Sequence, residues 1–112
     1  MNKRERVEAV FNNKTVDYVP SCFWRHYSPE IERGEDVVEA HLKFYRDTGL
    51  DAVKISSDGY FGWPAPTLQD LKDTEALYEI EHVGMETSFM QKQIERARQI
   101  VDRLDGDCFT FY

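Results

Sequence analysis

The stretch Asp51-Ala52-Val53-Lys54-Ile55-Ser56-Ser57 decides the fold, because its composition is that of a buried strand and it opens directly onto Asp58-Gly59. Upstream, Tyr18-Val19-Pro20-Ser21-Cys22-Phe23-Trp24 has the same character and opens onto Arg25-His26. Between them, residues 36–48 read as a helix. Val38, Leu42 and Tyr45 recur at i, i+4 and i+7, with Val37, His41 and Phe44 alongside, and Gly49 stands where a C-terminal glycine cap belongs. A strand, a helix and a second strand in that order predict two parallel strands whose C-terminal ends share one edge of a sheet. Ligands bind at that edge in α/β folds, so Arg25 and Asp58 are candidates for a site.

The flanking chain continues the alternation. A leading helix over residues 3–12 carries Val7, Val10 and Phe11 on one face, and Asn12-Asn13-Lys14 supplies its stop. The first strand spans 18–24, with Pro20 near its start where a missing N–H is tolerated, and Ser28-Pro29 then breaks the pattern. The second strand spans 51–57. Residues 58–87 show no sustained period, and the run from Asp58 to Pro66 is dense in aromatic residues, glycine and proline. That composition predicts an ordered, lid-like loop rather than disorder, with a helical turn at 67–71 and an extended piece over 78–83. A helix over 88–104 places Met90, Ile94, Ala97, Val101 and Leu104 on one face, with Ser88 as N-cap. A last strand, 107–112, contains Cys108-Phe109-Thr110-Phe111. The whole reads as a parallel α/β fold.

Strand side chains alternate, so Lys54, Ser56 and Asp58 project to one side and Val53, Ile55 and Ser57 to the other. A lysine in mid-strand is costly in an open sheet covered by helices on both faces, whereas a closed barrel offers a polar lumen. The period therefore favours a barrel. Ser21, Phe23 and Arg25 share parity, which lets Arg25 project into the same mouth as Asp58. The plainer alternatives are that Arg25 and Asp58 pair with each other or cap loops, and that Asp58-Gly59 is an ordinary turn. His41, at the edge of an apolar face with no motif around it, reads as a structural histidine. The sequence holds no glycine-rich phosphate loop, no His-Glu-x-x-His, no Gly-x-Ser-x-Gly and no Cys-x-x-Cys.

The 112 residues carry 14 basic and 21 acidic side chains, a net charge of −7, which argues against nucleic acid and anionic membrane surfaces as partners. No apolar run approaches the roughly 20 residues of a membrane span, and the N-terminus lacks the apolar core of a signal peptide. A cytoplasmic protein is expected. Cys22 and Cys108, without partners at metal-ligand spacing, read as reduced core residues.

Five fragments, in order and spacing, resemble the N-terminal third of the uroporphyrinogen decarboxylase family, including its methyltransferase-like relatives. They are Arg4-Glu5-Arg6-Val7, Val16-Asp17-Tyr18-Val19-Pro20, Phe23-Trp24-Arg25, Gly49-Leu50-Asp51-Ala52-Val53 and Ser57-Asp58. The resemblance spans essentially all of residues 1–112. It implies the N-terminal part of a TIM (β/α)8 barrel, incomplete in this chain, with a site at the C-terminal mouth of the strands. It further implies cofactor-free decarboxylation of a tetrapyrrole in porphyrin biosynthesis, with Asp58 as the catalytic carboxylate that favours a positively charged intermediate. Arg25 would hold substrate carboxylates, and His26 and Tyr60 would stand beside it as substrate-binding residues.

There are departures from that pattern. Decarboxylases follow their first arginine with Gln-Ala-Gly-Arg, whereas this sequence reads Arg25-His26-Tyr27-Ser28-Pro29, so a second anionic-substrate anchor is missing. Lys54 and Trp24-Arg25-His26 look more like the methyltransferase branch, where zinc and a corrinoid partner take part through ligands outside these residues. The sequence itself implies no metal site and no cofactor. A barrel of this type needs about 250 residues, so low activity alone is expected, with assembly through a complementary chain or a homo-oligomer. A small non-catalytic binding module is the remaining alternative.

Overall fold

A computed structural model of the chain describes residues 1–58, 74–80 and 84–112. Helix α1 spans Lys3–Phe11 and starts in a capping box: Asn2 Oδ1 accepts from Glu5 N at 2.8 Å, and Asn2 N donates to Glu5 Oε2 at 2.9 Å. Helix α2 spans Pro29–Arg33, with proline at its first position where no N–H is required. Helix α3 spans Asp36–Thr48 and ends at Gly49, whose φ of 66° is the left-handed cap that glycine adopts without strain. Strand β1 is Ala52–Lys54. A 3-10 turn, Glu75–Glu79, precedes helix α4, Ser88–Leu104, and the last strand is β2, Phe109–Phe111.

β1 and β2 pair in parallel, with Ala52 opposite Phe109, Val53 opposite Thr110 and Lys54 opposite Phe111. Ile55 N donates to Phe111 O at 2.7 Å beyond the last paired residue. Helices α3 and α4 close over this small sheet. Their core consists of Val37, Val38, Leu42, Val53, Ile55, Ile100, Leu104 and Cys108, among others. Each such aliphatic side chain contributes about 1.5–3 kcal/mol on full burial, and Ile100 is the most completely covered at 1 % exposure. The architecture is mixed: helices around a two-stranded parallel sheet. No helix among the described residues is long and apolar enough to cross a membrane.

Several expectations need correction. Residues 18–24 form no strand. Pro20 has no N–H to give, and the Ser21 N–H goes to the Asp51 carboxylate at 2.9 Å rather than to a backbone carbonyl. One ladder-like bond remains, from Asp51 N to Ser21 O at 3.0 Å, and Val19, Phe23 and Trp24 stay exposed. The strands expected over 51–57 and 107–112 shorten to three residues each, since each is paired only over the other's length. Ser88 is the first residue of α4, and Thr87 is its N-cap, accepting from Met90 N at 3.4 Å. Tyr78 lies in the 3-10 turn rather than in an extended piece. The turn at 67–71, the rest of the piece at 81–83 and Tyr60 lie outside the described residues. Cys22 is exposed, not in the core, while Cys108 is buried, and both are free thiols.

The buried face of α4 is offset from the apolar stripe in its sequence. Gln93, Arg96, Ile100 and Leu104 are buried, whereas Val101 is 43 % exposed. Ile94, Ala97 and Val101, with Ile55, Phe111 and Tyr112, instead line an open apolar groove of about 400 Å³ beside β2. That side of the sheet is uncovered among the described residues.

Candidate functional site

Charged side chains collect at both ends of β1, and their surroundings differ. At the N-terminal end, Arg6 is buried although it stands on an exposed-type helix, because every guanidinium nitrogen is bonded. Nε donates to Asp17 Oδ1 at 2.6 Å, Nη1 to Asp51 Oδ1 at 2.6 Å, and Nη2 to Asp17 Oδ2 at 2.9 Å and Met1 O at 2.7 Å. The guanidinium also lies 3.7 Å from the Tyr18 ring centroid. Asp51 accepts in addition from Tyr18 Oη at 3.1 Å and Ser21 N at 2.9 Å. Burial pushes the Asp51 carboxyl up, but the Ser21 N–H, Arg6 and Tyr18 together outweigh it and hold the group below the usual carboxylate range. The Arg6 hydrogen bond likewise holds Asp17 far below that range.

The C-terminal end is open. Asp58 follows β1 and accepts from His26 Nδ1, with His26 75 % exposed and Asp58 20 %. The pair lines a cleft of about 350 Å³ together with Tyr27, Pro29, Glu32 and Arg33. Because a carboxylate can only accept, the shared proton sits on the imidazole. An imidazole held by a carboxylate at a cleft mouth can receive or supply a proton at Nε2.

Arg25 does not join this pair. Its guanidinium lies over the rings of Tyr27, at 5.3 Å, and Phe44, at 6.0 Å, and lines a neighbouring groove with Lys43 and Asp47. The two aromatic faces draw it toward α3, and Tyr27 forms a wall of both hollows. Arg25 and Asp58 therefore neither pair with each other nor share one cleft. Lys54, the mid-strand lysine, is accommodated by the Trp24 ring at 4.4 Å.

His41 is structural, as its setting in the sequence implied. Its Nδ1 donates to Val37 O at 2.7 Å, and its Nε2 accepts from Ser56 N at 2.9 Å, so the neutral tautomer satisfies both contacts. Burial pushes its pKa down. Burial also pushes both cysteine thiols up, so neither is an activated nucleophile. No group of three or more His, Cys, Asp or Glu side chains among the described residues could hold a metal ion. These residues do not fit a zinc site.

Sequence reasoning passed over Arg6, Asp17, Asp51 and Glu32 as interacting residues. A signal was present for the first: Arg6 adjoins Val7 on the face that α1 turns toward the sheet, a position where a charge needs a partner. No protein-family model, curated protein or solved structure matches this chain significantly.

Proposed function

We propose that the chain supplies the first part of a barrel-mouth site of the uroporphyrinogen decarboxylase kind, working in the cytoplasm, and that turnover requires further strands. The observation that carries this reading is the His26–Asp58 pair at the C-terminal end of β1, in an open cleft. Asp58 would stabilise positive charge on a protonated electron-accepting ring as a carboxylate departs as carbon dioxide. His26 would hold that carboxylate in place, and Arg25, one wall away, would reach substrate acid groups by leaving its aromatic rest position.

Two further observations support it. Arg6, Asp17 and Asp51 belong to three of the separate fragments that carry the family resemblance, and they meet in one cluster at the opposite end of β1, with Arg6 and Asp51 buried and Asp17 partly exposed. Among the described residues the sheet has two strands, with Phe23 and Trp24 exposed on one flank and Val101, Phe111 and Tyr112 on the other. Parallel sheets are ordinarily covered on both faces, so these flanks suit additional strands and helices.

A second reading within the same family has its own support. Pro29 starts α2 where decarboxylases carry a second arginine, which removes an anchor for a many-carboxylate substrate and favours the methyltransferase branch. Zinc in that branch would rest on residues other than these.

Coexpression with a polypeptide carrying the remaining strands, followed by measurement of carbon dioxide release from uroporphyrinogen, tests the first reading. The expected result is a stable complex that turns over, no turnover by the chain alone, and loss of turnover in Asp58→Asn. Failure to form any complex, or an unchanged rate in the variant, overturns it.

A further inference from the structure

Behind the cleft, where β1 ends and helices α2, α3 and α4 converge, lies a second cavity of about 10 Å³ lined by Glu32, His41, Ser56, Gln93, Arg96 and Tyr112, among others. Two polar atoms of the buried side chains there have no partner among the described residues. Glu32 is 3 % exposed; its Oε1 accepts from Tyr27 N at 3.3 Å, and its Oε2 has no partner. Arg96 is 7 % exposed; its Nη2 donates to Glu35 Oε1 at 3.0 Å, and its Nε has no partner. Both nitrogens of His41 are already engaged, so it cannot serve either atom. A buried acceptor and a buried donor left unbonded are costly, charged ones most of all.

Size and bonding select the guest. The volume suits about one water molecule and nothing larger. The guest must donate to Glu32 Oε2 and accept from Arg96 Nε. Ammonium cannot accept, a bare metal cation would face the guanidinium, and chloride cannot donate. Water does both. We propose that this cavity binds one ordered water that bridges Glu32 Oε2 to Arg96 Nε, ties α2 to α4, and fixes the Glu32 carboxylate in the wall that it shares with the His26–Asp58 cleft. The bridge stands on the cavity alone and does not depend on the reaction assigned to the cleft.

Water-selective nuclear Overhauser measurements on the isotope-labelled full chain test it. The Arg96 Nε–H is expected to show a cross-peak to water with the sign of a long-lived contact. Glu32→Gln, which keeps an acceptor oxygen, is expected to retain the peak, and Glu32→Leu to lose it while keeping a native-like spectrum. Absence of the peak in the native chain, its loss in Glu32→Gln, its persistence in Glu32→Leu, or a direct Arg96–Glu32 hydrogen bond overturns the proposal. Should Glu32→Leu unfold, the native chain and Glu32→Gln decide.

Discussion

The two ends of β1 carry similar chemistry in opposite conditions. At the N-terminal end, Arg6 uses every guanidinium nitrogen and Asp51 uses both carboxylate oxygens, all out of solvent. At the C-terminal end, Asp58 has an exposed histidine as partner and Arg25 rests on aromatic faces. A saturated charge cluster has nothing left to offer a ligand and serves to hold the chain in place. An unsaturated one keeps its capacity for binding.

Removing the carboxylate at the closed end is the most severe way to break this comparison. Asp51→Ala leaves Arg6 Nη1 and the Ser21 N–H without their acceptor while Asp17 keeps the guanidinium paired, so a loss of about 1–3 kcal/mol is expected in urea unfolding. That is a large share of the stability of any small domain. A loss below about 1 kcal/mol, the level of an exposed ion pair, would mean that the cluster is no more structural than the open end.

His41 connects the core to the open end through Ser56 and provides a pH-dependent test. Its folded pKa lies below the unfolded value of about 6.5, so the unfolded chain takes up a proton that the folded chain refuses. Stability is therefore complete above that value and declines as pH falls from there toward the folded pKa, with a slope of at most about 1.4 kcal/mol per pH unit. The carboxylate facing His41 is Glu32, which moderates the effect. His41→Leu should flatten the slope in denaturation series from pH 7.5 to 5.5, and it should cost about 1–3 kcal/mol because the Ser56 N–H loses its acceptor. An unaltered slope would assign the titration to another group.

The same contrast shows what was legible beforehand. Helices α3 and α4 announced themselves through apolar period and end signals, since Gly49 and the residues around Thr87 act locally. The stretch at 18–24 misled because strand composition states only that a segment can pair, and here its amide bonds to the Asp51 side chain instead. Asp58 was visible as a carboxylate at a strand end, but the parity argument that sent Arg25 to the same mouth failed once residues 18–24 were no strand. The offset face of α4 was hidden for a related reason: period identifies an apolar stripe, while only packing reveals how much of it is covered. Gln93 and Arg96 are buried in its place.

The gentlest test is Asp58→Asn, and it sharpens the comparison most. The pair it disrupts has a His26 side chain that is 75 % exposed, so solvent replaces the lost contact and the stability change should stay within about 1 kcal/mol. Asparagine can still accept from His26, which keeps the cleft shape while removing the negative charge. If the open end exists to bind or to stabilise charge, this nearly isosteric change should leave unfolding in urea almost untouched yet abolish function in the assembled barrel. Were Asp58→Asn instead as destabilising as Asp51→Ala, both ends of β1 would be structural, and the His26–Asp58 pair would be a loop tether rather than the beginning of a site.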